Sequence, residues 1–211
     1  MAGAKAIGAG VADYHQLGHP IQARIKKAVE DLSGLPPEAI KWGVDGCNMA
    51  SPALPLHSLG LVNAMFAQAA DVVERGDAVS QRTQNMARIF NAMAQHPAMV
   101  AGDERFCTVL MEAYSGRLIG KVGADGCYGI GVRESEQTRR LGAEGSIGIA
   151  AKIEDGSLDI LYAALAEILE QLQLGTPEMR QKLDGLHHKN IVNTAGVVTG
   201  GLSFPFRIRE V

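Results

Sequence analysis

The spacing of apolar residues changes once along this chain, near Gly116, and that change constrains the fold more than any other feature. Before it, apolar side chains recur every three or four residues. Pro20 stands where a first helical residue belongs, and Ile21, Ile25, Ala28, Val29 and Leu32 keep one face as far as Gly34, before Pro36-Pro37 stops the pattern. Residues 55–74 and 80–95 are two further helical patterns, joined by Glu74-Arg75-Gly76-Asp77, and 105–114 make one more short helix. Met86, Ile89, Phe90 and Met93 read as a core face rather than a cofactor box. The Ala- and Gly-rich start, Met1 to about Gly8, suits a closely packed helix.

After Gly116 the runs are short, β-branched and broken by glycine: Arg117 to Gly123, Cys127 to Val132 and Gly145 to Ile153. They read as strands of an antiparallel sheet. The charged segment Arg133 to Arg140 lies between two of them and reads as a solvated hairpin loop. Asp155-Gly156 marks a turn and Ser157 caps a helix whose Leu158, Leu161, Ala164, Leu165, Ile168, Leu169 and Leu172 face the sheet. The tail ends in Phe206-Arg207-Ile208-Arg209, an alternating edge-strand pattern. The expectation is an α+β fold: an antiparallel sheet from 116–153 packed on the 158–172 helix, with a helical layer from 19–114. With no low-complexity linker, 1–211 reads as a single domain, helical over about 1–115 and sheet plus C-terminal helix over about 116–211.

With 46% hydrophobic and 20% charged residues in 211, the chain has the composition of a globular protein with a sizeable core. A net charge of -3, without a Lys/Arg cluster interleaved with aromatics, argues against nucleic acid as a partner. The longest apolar run falls short of a bilayer span, and Met1 to Lys5 lacks the apolar core of a secretory signal, so the expectation is a cytoplasmic protein without a membrane partner. Three cysteines, Cys47, Cys107 and Cys127, read as free thiols in a reducing compartment.

Two places carry chemistry. In Gly43 to Leu56, Asp45 and Cys47 flank Gly46, and the tight Asp-Gly turn points both into one small space. That space suits a ligand or a metal, and a plain surface turn would use the same pair. Lys121 lies on a strand with glycine before it and Val-Gly after it, which lets a substrate approach the backbone closely. Burial there would fit a lysine for moving protons or steering a carboxylate. Lys121-Val122-Gly123 is a looser version of the Lys-Thr-Gly strand of penicillin-recognising enzymes. Other signals fail. Gly8-Ala9-Gly10 lacks a preceding strand and a third glycine for a dinucleotide site. Asp-Gly-Cys occurs at 45–47 and 125–127 in different flanks, without an internal repeat. His187-His188, for want of a Cys or acid at ligand spacing, reads as an exposed pair near a helix end.

Taken in order, six pieces carry a family resemblance over almost the whole chain. They are His19 to Gln22, Gly43 to Cys47, Ala53 to Leu56, His96 to Gly102, Lys121 to Gly126 and Ala151 to Gly156. Together they resemble the thermolabile asparaginase II family, the Rhizobium-type L-asparaginases. The resemblance implies a fold like that of serine β-lactamases and glutaminases, incomplete here at the N-terminus, and an amidohydrolase acting on L-asparagine by serine-lysine catalysis as a homodimer. It implies that Lys121 is the later active-site lysine, that Asp45 is the acid beside the substrate, and that Cys47 is the second thiolate of a zinc site. Cys107 falls where some members carry a cysteine without an assigned catalytic role. Asn48, Ala50 and Asp125 replace the usual glycine, proline and glutamate.

The resemblance begins just after the place where the family's Cys-Ser-Gly-Lys-His segment stands, and none of the nine serines here has lysine three residues on. The nucleophile, its lysine and two zinc ligands therefore have no counterparts in these residues. Two expectations follow: a fragment of a working L-asparaginase, or a truncated, non-catalytic homologue acting by association. An in-frame Ser-x-x-Lys in the DNA upstream of Met1 would separate them.

Overall fold

The computed structural model describes residues 1–209. Its contacts gather into two units, Met1–Val62 and the residues from Asn63 onward.

In the first unit, α1 (Ala2–Ala6) buries Ala4 completely. Gly3 makes room for Ile21, whose Cδ1 would lie 3.2 Å from a Cβ there. The helix α2 (Pro20–Ser33) starts and stops as its residues dictate. His19 caps it by accepting the Ile21 N–H on Nδ1 at 3.1 Å, and Gly34, at φ 66°, takes the left-handed position that ends it. The 3-10 turn Pro37–Ala39 leads into a two-stranded antiparallel ribbon, β1 (Lys41–Val44) with β2 (Ala50–Ala53), in the register Lys41↔Ala53 to Val44↔Ala50. The sequence had marked only a turn here. Pro52 lies inside β2, where a two-stranded ribbon tolerates a missing N–H. The long helix α3 (Leu56–Glu74) begins in this unit and continues into the next.

The second unit carries α4 (Gln81–Gln95), α5 (Pro97–Ala101) and α6 (Phe106–Tyr114), then a three-stranded antiparallel sheet of β3 (Leu118–Gly123), β4 (Cys127–Val132) and β5 (Ile147–Lys152), in that order. The expected α+β architecture and antiparallel pairing are present. Between β4 and β5 stands α7 (Glu136–Arg140), and α8 (Leu158–Gln171), α9 (Pro177–Gln181) and α10 (Asp184–His187) follow. A last hairpin pairs β6 (Asn190–Val192) with β7 (Val198–Gly201). One sheet face buries Leu118, Tyr128, Ile130 and Ile149 in a core with Phe106, Leu110 and Met111 of α6 and Leu161, Leu165 and Leu169 of α8. Ser157 caps α8 by accepting the Ile160 N–H at 3.4 Å.

Three expectations need correction. The charged segment after β4 is not an open hairpin loop. Ser135 and Thr138 close a capping box that starts α7. Arg133 pairs with Asp71 at 2.6 Å and with Glu74, while Glu134 bridges Arg75 and Arg139, so the charges lock α3 to the end of β4. Phe206 to Arg209 form no strand. Their alternation instead meets α8 through the Phe206 carbonyl and the Ile208 N–H, both held by Gln171. Ile89 is 49% exposed although Met86 and Phe90 beside it are buried.

Candidate functional site

Asp45 and Cys47 share one turn, as their spacing predicts. Asp45 Oδ1 accepts the N–H of Cys47 at 2.9 Å and of Met49 at 3.0 Å, and the Asp45 N–H reaches the Met49 carbonyl at 3.0 Å. Asn48 sits at φ 59°, where glycine is favoured and asparagine is the next best choice. The carboxylate thus organises the ribbon's tip, and one of its oxygens is committed to the backbone. Both Asp45 and Cys47 are exposed.

Lys121 belongs to the second unit, in the middle of β3 opposite Gly129 of β4. It is exposed, and its Nζ donates to the Val122 carbonyl at 2.7 Å. The expected burial is therefore absent. Leu118, Gly120 and Val122 share the face turned to α6, and Ile119 and Lys121 share the other. Alternation assigns the face, and Ile119 on that same face is buried, so the cover ends before Lys121. An exposed ammonium offers a point charge rather than a desolvated amine.

The glycine before Lys121 has a different duty from the one expected. A Cβ on Gly120 would lie 2.8 Å from Leu110 Cδ2 and 2.8 Å from Tyr128 Oη, so its absence serves core packing on the face away from Lys121. Tyr128 Oη is buried beside the Cys107 sulfur without a sound hydrogen-bond partner, and burial pushes its pKa well above the usual tyrosine value. Cys107 itself is buried and its sulfur receives the Val122 N–H at 3.3 Å. On Lys121's own face the glycines do admit a close neighbour. Asn63 Nδ2 lies 2.3 Å from where a Gly129 Cβ would stand, and the Asn63 carbonyl 2.3 Å from that of Gly131. Asn63 of α3 therefore rests on the residue paired with Lys121. The sequence did not mark it. The signal was the run of glycines at alternate positions of β4, which calls for something pressed close.

Metal-binding side chains gather elsewhere. A structural zinc takes about four ligands, and Cys47 is one exposed thiol whose neighbouring carboxylate already serves the turn. The residues around Cys47 do not by themselves fit a zinc ion. Asp184, His187 and His188 instead bring three donor atoms within 4.8 Å of one another. Asp184 is the acid one helical turn before the pair that the sequence reading overlooked. That reading also needs correction for His187, which is buried while His188 is exposed. His187 Nε2 meets Glu167 Oε2 of α8 at 2.8 Å. Burial alone would raise the Glu167 pKa, but hydrogen bonds from Gln171 and His187 outweigh it and hold the carboxyl below the ordinary range.

No helix among the described residues is long and apolar enough to cross a membrane. No curated protein matches the chain. A protein-family model described as L-asparaginase II matches residues 1–204.

Proposed function

The chain belongs to the L-asparaginase II family, and on that premise we propose that it carries residues of a site for the hydrolysis of L-asparagine to L-aspartate and ammonia. The observation that supports this reading is a family match running through both candidate segments, with Asp45, Cys47 and Lys121 all inside it. Hydrolysis of a carboxamide puts negative charge on the carbonyl oxygen as the nucleophile attacks, and releases ammonia once the nitrogen is protonated. An exposed lysine ammonium suits the developing oxyanion or the substrate's α-carboxylate. Asp45 Oδ1 holds the turn, which leaves Oδ2 for the substrate's α-ammonium.

These 211 residues contain no Ser-x-x-Lys pair, and a hydroxyl without a base is a poor nucleophile at neutral pH. We therefore read the chain as the carrier of the acid and the lysine of an asparaginase site, with Cys47 contributing at most one thiolate toward zinc. No catalytic step is assigned to that metal. Calorimetric titration with L-asparagine tests the residue roles. Asp45→Asn and Lys121→Met should each weaken binding about tenfold or more, the worth of one charged hydrogen bond of roughly 1.5–3 kcal/mol. Binding that is unchanged in both variants would remove Asp45 and Lys121 from the site.

The second reading, association without catalysis, draws support from the β6–β7 hairpin. Ile191, Val192, Val197 and Val198 there are each at least half exposed. Sedimentation of the wild type against Ile191→Lys and Val198→Lys tests it, and a monomer in every case would count against it.

A further inference from the structure

We propose that Asp184, His187 and His188 form a binding site for a divalent transition-metal ion of the zinc class, separate from Cys47. The donor set is the first reason. Two imidazoles and a carboxylate favour zinc, cobalt or nickel over magnesium or calcium, which prefer oxygen alone. Spacing is the second. Asp184 and His188 stand four apart and Asp184 and His187 three apart, so one turn of α10 and its end present all three on one side. Their donor atoms lie within 4.8 Å, a separation that small side-chain rotations close onto one ion.

The third reason is the support behind His187. Metal-binding histidines characteristically give their second nitrogen to a carboxylate, which fixes the ring and makes the first nitrogen a better donor. Here Glu167 Oε2 holds His187 Nε2 at 2.8 Å, and Gln171 holds the other Glu167 oxygen at 2.6 Å. A neutral His187 donating Nε2–H to Glu167 leaves Nδ1 as the metal-binding nitrogen. The Phe204 ring centroid lies 4.9 Å from that of His187 and limits its tilting. His188 stacks on His187 with centroids 3.9 Å apart and planes 30° from parallel, and being exposed it is free to open toward a shared ion. Three protein donors plus water complete a tetrahedral shell. Bound metal would clamp α10, which already leans on α8 through Glu167, and would act by stabilising this end of the fold rather than by turning over asparagine.

The test is titration of the 211-residue chain with zinc chloride under chelator competition, repeated with cobalt(II) and read by visible and near-ultraviolet absorption. One zinc per chain is expected, retained in Cys47→Ser, with a cobalt spectrum free of thiolate charge-transfer bands. His188→Ala and Asp184→Asn, both at exposed positions where folding is not at stake, should each weaken zinc binding about tenfold or more. Glu167→Gln should do so by a similar factor through the loss of ring orientation, since such supporting partners are worth roughly 10–100-fold. Zinc that binds with unchanged affinity in His188→Ala, or that is lost in Cys47→Ser with a thiolate band in the cobalt form, would overturn the site. None of these outcomes depends on whether the chain binds L-asparagine.

Discussion

Tyr128 and Glu167 show how a single polar group settles its account with burial in two opposite ways. The Tyr128 hydroxyl is fully buried without a sound partner, so it bears a desolvation cost with no hydrogen bond in return. Tyr128→Phe should accordingly be neutral or stabilising by up to about 1 kcal/mol in urea denaturation. A loss larger than that would show that the hydroxyl has a partner after all. Glu167, by contrast, is held below the ordinary carboxylate range by Gln171 and His187 against the opposing effect of burial. Its stabilisation is complete above the unfolded value of about 4.3 and is lost as pH falls through the lower folded value. Glu167→Gln should flatten the acid limb of the melting temperature against pH, and an acid limb identical to that of the wild type would contradict the pairing. Little of this was legible in the sequence. A tyrosine in a strand and a glutamate in a helix carry no mark of what will stand opposite them, and His187 was misjudged because the helix that carries it is only four residues long, too short to show which side meets Glu167 and Phe204.

Elements were legible in proportion to their length. Pro20 and Gly34 bracket α2, and α3, α4, α6 and α8 each run long enough for a period of three and four to show. The short ribbons β1–β2 and β6–β7 were not legible, because Pro52 interrupts one, Gly200 and Gly201 end the other, and neither alternates in polarity. The box that opens α7 escaped for a related reason. It uses Thr138 where glutamate or glutamine is the usual sign, and the helix it opens has five residues. The glycines of β4 announced a close contact without naming its source, which proved to be α3. Gly131→Ala would place a Cβ 2.3 Å from the Asn63 backbone oxygen, so the helix must move away from the sheet. The expected cost is about 1–3 kcal/mol or more. Gly200→Ala meets nothing nearer than Ile191 Cδ1 at 3.8 Å and serves as the control. Equal stability for the two variants would mean that α3 does not press on the sheet as closely as described.

Across the whole molecule, Asp45, Cys47 and Lys121 stand out as positions of a family resemblance, the first two on one turn of the first unit and the third on a strand of the second. A turn acid and an exposed strand lysine look the same in any sequence, and alternation fixed the face Lys121 occupies without revealing that the face is open there. Membership of the family gives those positions their proposed meaning, and the missing Ser-x-x-Lys pair sets its limit. Ammonia release from L-asparagine by the expressed 211-residue chain tests both together. The account predicts release no faster than a protein-free blank, because the roles proposed for Asp45 and Lys121 are binding and charge stabilisation, and a hydroxyl without a base is a poor nucleophile. Sustained turnover that is abolished in Lys121→Met would contradict it, and would mean that one of the nine serines and Lys121 already make a complete site.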